Sequence, residues 1–454
     1  MKRRTITLTE GKIASSLVRM VWPMIFGMLG MVVFNLADSY FIGQVGVKEL
    51  AALGFSFPVV MLVTSISLGM GIGTASLISR SIGGTDRLTV RRYATSALFL
   101  GVMIILIFIA VGQLTIRPLF SALGAEGEML ELIHEYMSIW YWGMIFVVIP
   151  MMGNNIIRAT GDTFTPGMIM LISASVNIVL DPVLIFGLGP FPVLSLQGAA
   201  LATVFGRATG MVMTLFILIK RDKLLTLDLP SRRDVFRIWG KVLYIAGPAA
   251  ISILITPLSI GIITRIISRY GEAAVAAFGV VTRLEMFAML FIHALGSVMI
   301  IFAGQNWGAG KRERILQGYR IGALFSIGWG LILLVVAQMF PQEIAGVFSD
   351  DMRVVETTAG YLRIVSFSYM FIGFLVLAIS VLNGVNKPLP ATALTALRMA
   401  GLYVPLSILA AWLWDIQGIF WAAFAANIVT GVLAFLLVRM FLRRSIAAAG
   451  GGDI

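Results

Sequence analysis

Apolar positions dominate the chain in long unbroken stretches rather than at alternating or helical-stripe spacing. Stretches of the length that crosses a hydrocarbon core, about 20 residues, start near Ser15, Ala51, Tyr93, Leu132, Thr165 and Gln197, and again near Lys241, Ala274, Tyr319, Thr357, Thr392 and Gln417. Glycine and proline fall inside many of them, where in lipid they mark kinks and close packing instead of helix ends. The pattern predicts an all-α polytopic membrane protein of twelve transmembrane helices. Composition agrees: 59% of residues are hydrophobic and 12% are charged, against roughly 25% charged in an ordinary soluble domain.

The polar interruptions give orientation. With the N-terminus in the cytoplasm, the loops carrying Arg80, Arg87, Arg91 and Arg92, then the long Lys220–Lys241 stretch, then Lys311, Arg312, Arg314 and Arg320, all fall inside. Opposite loops carry Glu126, Glu128 and Glu131, and Glu343, Asp350, Asp351 and Glu356. This is the positive-inside bias, and it predicts a multi-pass protein of the cell (inner) membrane with both termini cytoplasmic. The first apolar run lacks a small-residue cleavage site, so no removable leader is expected.

Charge and residue usage then exclude several classes. The net charge of +12 sits in short loops between spans, which argues for membrane orientation and against nucleic acid. There are no cysteines and two histidines, His134 and His293, which rules out thiolate chemistry and a histidine-rich metal centre. The glycine-rich GMGIGTASLISRSIGG and GQNWGAGKR lack the Gly-Lys-Ser/Thr ending of a phosphate-binding loop. No ATP, no organic cofactor and no enzymatic nucleophile–base set are expected.

An internal repeat organises the chain. GVKELAALGFSFPV from Gly46 resembles GEAAVAAFGVVTRL from Gly271, and the same register pairs Pro23 with Pro248, Gly71 with Gly296, and SRSIGGTDR with GQNWGAGKR. LQGAALATVFG from Leu196 resembles IQGIFWAAFAA from Ile416. Six spans per half give both halves the same orientation. The expected domains are residues 1–230 and 231–454, two six-helix lobes related by a parallel repeat, the arrangement of lobes that rock about a central cavity.

Ionisable groups inside a span are costly and mark function. Asp38, in FNLADSYFIG, and Asp181, in SVNIVLDPVLIFG, both belong to the outer half of first-lobe spans. Asn35 is three residues before Asp38 and Asn177 four before Asp181, on one helix face in each case; Thr203 enters at similar depth. Two carboxylates, carboxamides and a hydroxyl suit a small hard cation such as Na+, and two carboxylates close together in low dielectric equally suit a shared proton. Pro182, directly after Asp181, would free backbone carbonyls if the helix broke there. The repeat sets Asp38 opposite Ile263, and Asp181 opposite Val404 or Pro405, so the fold itself does not demand the acids. Secondary candidates are Arg207, expected to pair with Asp181 or an anionic group, and, for a substrate cavity, Glu285, Arg283 and His293, with Arg398 as a counter-ion.

The segments WPMIFGMLGMVVFNLADSYFIGQVG, SRSIGGTDR with its repeat GQNWGAGKR, RATGDTFTP, NIVLDPVLIFG and GAALATVFG together resemble the multidrug and toxic compound extrusion (MATE) transporters over nearly the full length. The resemblance implies a V-shaped cavity between two six-helix lobes and efflux of organic, often cationic, compounds in exchange for H+ or Na+. By motif it carries a first-lobe cation site to Asp38, Asn177, Asp181 and Thr203. Some members use acids in spans 7 and 10 instead; here SILITPLSIGIITRII and SFSYMFIGFLVLAISVLNG hold none. The expectation is a monomeric antiporter of small organic, cationic or amphiphilic compounds working by alternating access, with a bend of the first span around Pro23, Gly27 and Gly30 as cations bind. The alternative on the same architecture is a flippase for lipid-linked precursors, which would want an arginine-rich cavity.

Overall fold

The computed structural model describes residues 8–228 and 230–450. Among them every regular element is a helix. We number the spans α1 (Ile13–Val45), α2 (Val47–Gly84), α3 (Arg87–Ala122), α4 (Gly127–Ala159), α5 (Phe164–Phe186), α6 (Ser195–Arg221), α7 (Arg232–Tyr270), α8 (272–308), α9 (Arg312–Met339), α10 (Met352–Gly384), α11 (388–413) and α12 (416–450). The last two run on as one helix except at Trp414 and Asp415, where the backbone leaves helical geometry and Asp415 takes φ 49°. A criterion of length and hydropathy alone therefore counts eleven candidate spans, and the turn at Trp414–Asp415 resolves the longest into two.

The chain divides into two compact units. Among the described residues the first is Arg19–Ala250; the second is Leu8–Val18 with Ile251 onward. The division falls inside α1 and α7, and packing explains why. In the first unit, Gly69 and Gly73 of α2 give the early part of α7 a surface with no side chains: a Cβ on Gly69 would lie 2.6 Å from the Ala246 carbonyl oxygen, and one on Gly73 2.7 Å from that of Val242. In the same unit Arg87 and Arg91 donate to the carbonyls of Asp222 (3.0 Å) and Leu225 (2.9 Å), and Arg92 pairs with Asp228 at 2.8 Å. The second unit repeats the arrangement at the repeated motif. Asn306 donates to the Leu8 carbonyl (3.1 Å), Lys311 to that of Thr9 (3.0 Å), and Arg314 to those of Glu10 and Gly11 (3.0 Å each). In each unit, basic loop residues thus hold the strand of chain that leads into α7 or α1.

The outer surface fits lipid. Leu114 is 82% exposed and Trp412 87%, and dozens of other large apolar side chains stand open on the helix flanks, an arrangement water would punish and hydrocarbon does not.

Candidate functional site

α5 and α6 are antiparallel neighbours, and their contact is set by sequence. Gly198, Ala202, Gly206 and Gly210 recur every four residues on α6 and are all buried, so one face of the helix is a groove no deeper than a methyl group. α5 lies in it. A Cβ on Gly206 would sit 2.9 Å from the Ser173 carbonyl oxygen and 3.0 Å from the Asn177 Cβ, and the Ser173 hydroxyl donates to the Gly206 carbonyl at 2.6 Å. Thr203 follows a groove position by one residue and comes within hydrogen-bond reach of Asn177. α1 approaches the other side of α5 through Gly27 and Gly167, where a Cβ on Gly27 would be 3.1 Å from the Gly167 Cα. Farther along the same helix, that approach delivers Asp38.

The first-lobe candidates converge. The Asn177 amide donates to Asp181 Oδ1 and to Thr203 Oγ1, each at 3.4 Å. Asp181 is fully buried and Asn177 nearly so; Asp38 is half-buried. Asp38 Oδ1, Asn177 Oδ1 and Asp181 Oδ2 are buried acceptors that receive no hydrogen bond. Leaving a buried acceptor unsatisfied costs about 1–3 kcal/mol, more when it is charged, so three in one place form a site short of positive charge. Asp38 and Asp181 lie within each other's field. The donors are oxygen atoms throughout, which fits H+ or Na+ and not a soft metal; no group of three or more His, Cys, Asp or Glu among the described residues could hold a metal ion.

Two expectations change. Arg207 does not pair with Asp181: no ion pair within 4.0 Å joins it to either acid, its guanidinium stacks on Phe34 at 5.4 Å, and its field acts on Asp38. The reason is that Arg207 follows Gly206 on the groove's flank, facing α1. α5 does not break at Pro182 but continues to Phe186; the proline still leaves the Ile178 carbonyl without its helical donor, one turn from Asp181. The side chain of Asn35 lies outside the described residues. Sequence reading missed Tyr136 of α4, which is 6% exposed and in the field of both acids. One tyrosine in EYMSIWYW carries no signal until the helices are assembled.

In the second unit Glu285 is half-buried on α8, and one carboxylate oxygen, Oε1, accepts from the Tyr361 hydroxyl at 2.7 Å. Arg398 of α11 donates through Nε to Asn427 Oδ1 at 2.8 Å, and Asn427 donates to the Ser368 hydroxyl at 2.9 Å. Arg398 acts on both Glu285 and His293. Arg283 is exposed. The register that pairs Gly46 with Gly271 also pairs Tyr136 with Tyr361, so each lobe turns an equivalent tyrosine toward its acids.

A two-lobe helical bundle with an internal repeat is an architecture of membrane transporters. The MatE family model matches residues 23–183 and 248–409, once in each half. The chain is 34% identical over 435 residues to the FAD transporter of Shewanella oneidensis, covering 95% of this chain and 96% of that one. It is 24% identical to the multidrug export protein MepA of Staphylococcus aureus, covering 93% and 92%. Among solved structures, the Vibrio cholerae MATE transporter VcmN in the bent form superposes with a TM-score of 0.88 at 30% identity, covering 95% of this chain and 97% of that one. The chain belongs to the MATE family of multi-pass membrane transporters, whose members carry small molecules and are not enzymes.

Proposed function

We propose that this protein is a secondary antiporter that exports small organic compounds in exchange for H+ or Na+, with Asp38, Asn177, Asp181 and Thr203 as the coupling-cation site. The observation that carries the reading is the set of three buried, unpartnered acceptor oxygens on Asp38, Asn177 and Asp181. A cation entering that set relieves the unsatisfied acceptors and the mutual repulsion of the acids at once. Coupling then needs only that the cation favour one lobe arrangement and the organic substrate the other; the work done is the difference in each ligand's affinity for the two states. α1 starts in the second unit, runs into the first and carries Asp38. On this reading the protein sits in the inner membrane as a monomer with both termini cytoplasmic, consistent with the basic loops. For the substrate, cationic and amphiphilic compounds fit the acids and apolar surfaces. A flavin nucleotide is a second reading, favoured by the Shewanella relative's name and by the arginine in each lobe.

The test is uphill efflux of a fluorescent lipophilic cation from proteoliposomes under a proton gradient and a Na+ gradient imposed separately. One gradient is expected to drive transport, and Asp38→Asn to abolish it. Transport by Asp38→Asn equal to wild type, or indifference to both gradients, refutes the mechanism.

A further inference from the structure

The second-lobe cluster has the form of a ligand site that the cation mechanism does not use. Glu285 gives one oxygen to Tyr361 and keeps Oε2 outside any hydrogen bond of the described residues, and that oxygen is not buried. Arg398 is committed only through Nε, leaving both terminal amino groups uncommitted. The two side chains act on one another electrostatically, yet no ion pair within 4.0 Å joins them. Each is instead braced from behind. Tyr361 is 3% exposed and packs edge-on against Phe420 at 5.2 Å; Asn427, 3% exposed, is fixed by the fully buried Ser368. Tyr403, 8% exposed, lies in the field of both charges, and its hydroxyl is buried without a partner. An acid and a guanidinium placed to neutralise each other ordinarily close into a bidentate pair. Here their supports hold them apart, an acceptor beside a fork of donors among aromatic rings.

We propose that Glu285 and Arg398 form a substrate subsite for the edge of a planar heteroaromatic ring in which an N–H is flanked by carbonyl groups, as in a flavin or a uracil. The N–H donates to Glu285 Oε2, and a flanking carbonyl accepts from the Arg398 amino groups. The Tyr403 hydroxyl, buried without a partner, supplies a further polar contact. A permanently charged lipophilic cation has no such edge and cannot make both hydrogen bonds, though the Glu285 charge attracts it. The proposal rests on the reading of the protein as an exporter of organic molecules and names what one lobe selects.

The test measures equilibrium binding, which needs no gradient, to the purified full-length protein. The probes are riboflavin, its N3-methyl derivative and ethidium. Charge-assisted hydrogen bonds contribute about 1.5–3 kcal/mol, so wild type is expected to bind riboflavin about ten- to hundred-fold more tightly than the N3-methyl compound. Glu285→Gln keeps the shape but removes the charge, and should reduce that ratio to within about three-fold. Arg398→Gln should weaken riboflavin and spare ethidium. Equal binding of the two flavins by wild type, no flavin binding at all, or an unchanged ratio between the two flavins in Glu285→Gln overturns the subsite. Failure of the exporter reading is seen separately, as gradient-independent transport with this discrimination intact.

Discussion

The α5–α6 groove makes a sharp prediction, because it ties a single methyl group to the geometry of the proposed cation site. In Gly206→Ala the new Cβ would arrive 2.9 Å from the Ser173 carbonyl oxygen and 3.0 Å from the Asn177 Cβ. Neither neighbour can yield by rotating a side chain, since one is backbone and the other is fixed to it. The helices must therefore separate by several tenths of an ångström. Overpacking of this kind costs about 1–3 kcal/mol, against which the helix gains about 1 kcal/mol from replacing glycine with alanine. Separation also lengthens the Asn177–Thr203 hydrogen bond, already 3.4 Å, and moves Thr203 off the site. Gly54→Ala in α2 is the control, because nothing lies within 4 Å of the Cβ it would add. Thermal unfolding of the detergent-solubilised protein should place Gly206→Ala below Gly54→Ala. Gradient-driven transport by Gly206→Ala should need a higher coupling-cation concentration for half its maximal rate. A Gly206→Ala protein as stable as the control and with an unshifted cation dependence would show that close approach of α6 does not build the site.

Other outcomes follow from the same structure. Thr203→Val removes one acceptor without changing shape, and should weaken the coupling cation by about five-fold, the equivalent of one hydrogen bond, as read from the cation dependence of transport. Tyr136→Phe takes a buried hydroxyl from the field of Asp38 and Asp181; it should shift cation dependence and leave ethidium binding intact. Arg221 joins Asp162 and Asp222 at 2.8 Å, both acids being 2% exposed, so Arg221→Ala strands two buried carboxylates and should cost about 3 kcal/mol of stability, seen as a lowered melting temperature.

How far the sequence carried depended on whether each feature is local. Span positions and orientation are written in runs of apolar residues and in loop charge, and each can be read without knowing any contact. Asp38 and Asp181 were legible because a carboxylate in an apolar run is conspicuous wherever it points. Their convergence was legible only in part: Asn177 precedes Asp181 by one turn, but the approach of Thr203 depends on the four-residue spacing of small residues in α6, which fixes which face meets α5. Arg207 shows the limit. Its position along the span was readable, but its partner depended on which flank of the groove it follows, and it meets Phe34 and the field of Asp38 instead of Asp181. Tyr136 and Tyr361 carried no signal alone. Only their pairing through the repeat, once both were seen turned toward acids, made them informative.

That pairing bears on how one fold couples two ligands. The lobes share a helix order and an equivalent tyrosine, but differ in what the tyrosine faces. In the first lobe it meets two carboxylates with unpartnered buried oxygens, a site that gains most from a bare cation. In the second it holds one carboxylate that is also under the influence of an arginine, a site already near charge balance that gains most from directional hydrogen bonds. Coupling needs ligands whose affinities differ between the two states, and lobes that differ in charge differ in the ligand each favours. In Asp38→Asn the first lobe loses one of its two carboxylates while the second keeps its arrangement. Riboflavin binding should then survive, and its displacement by the coupling cation should not. If the cation still displaced riboflavin from Asp38→Asn, the two ligands would be competing at one site, and the division of labour between the lobes would fall.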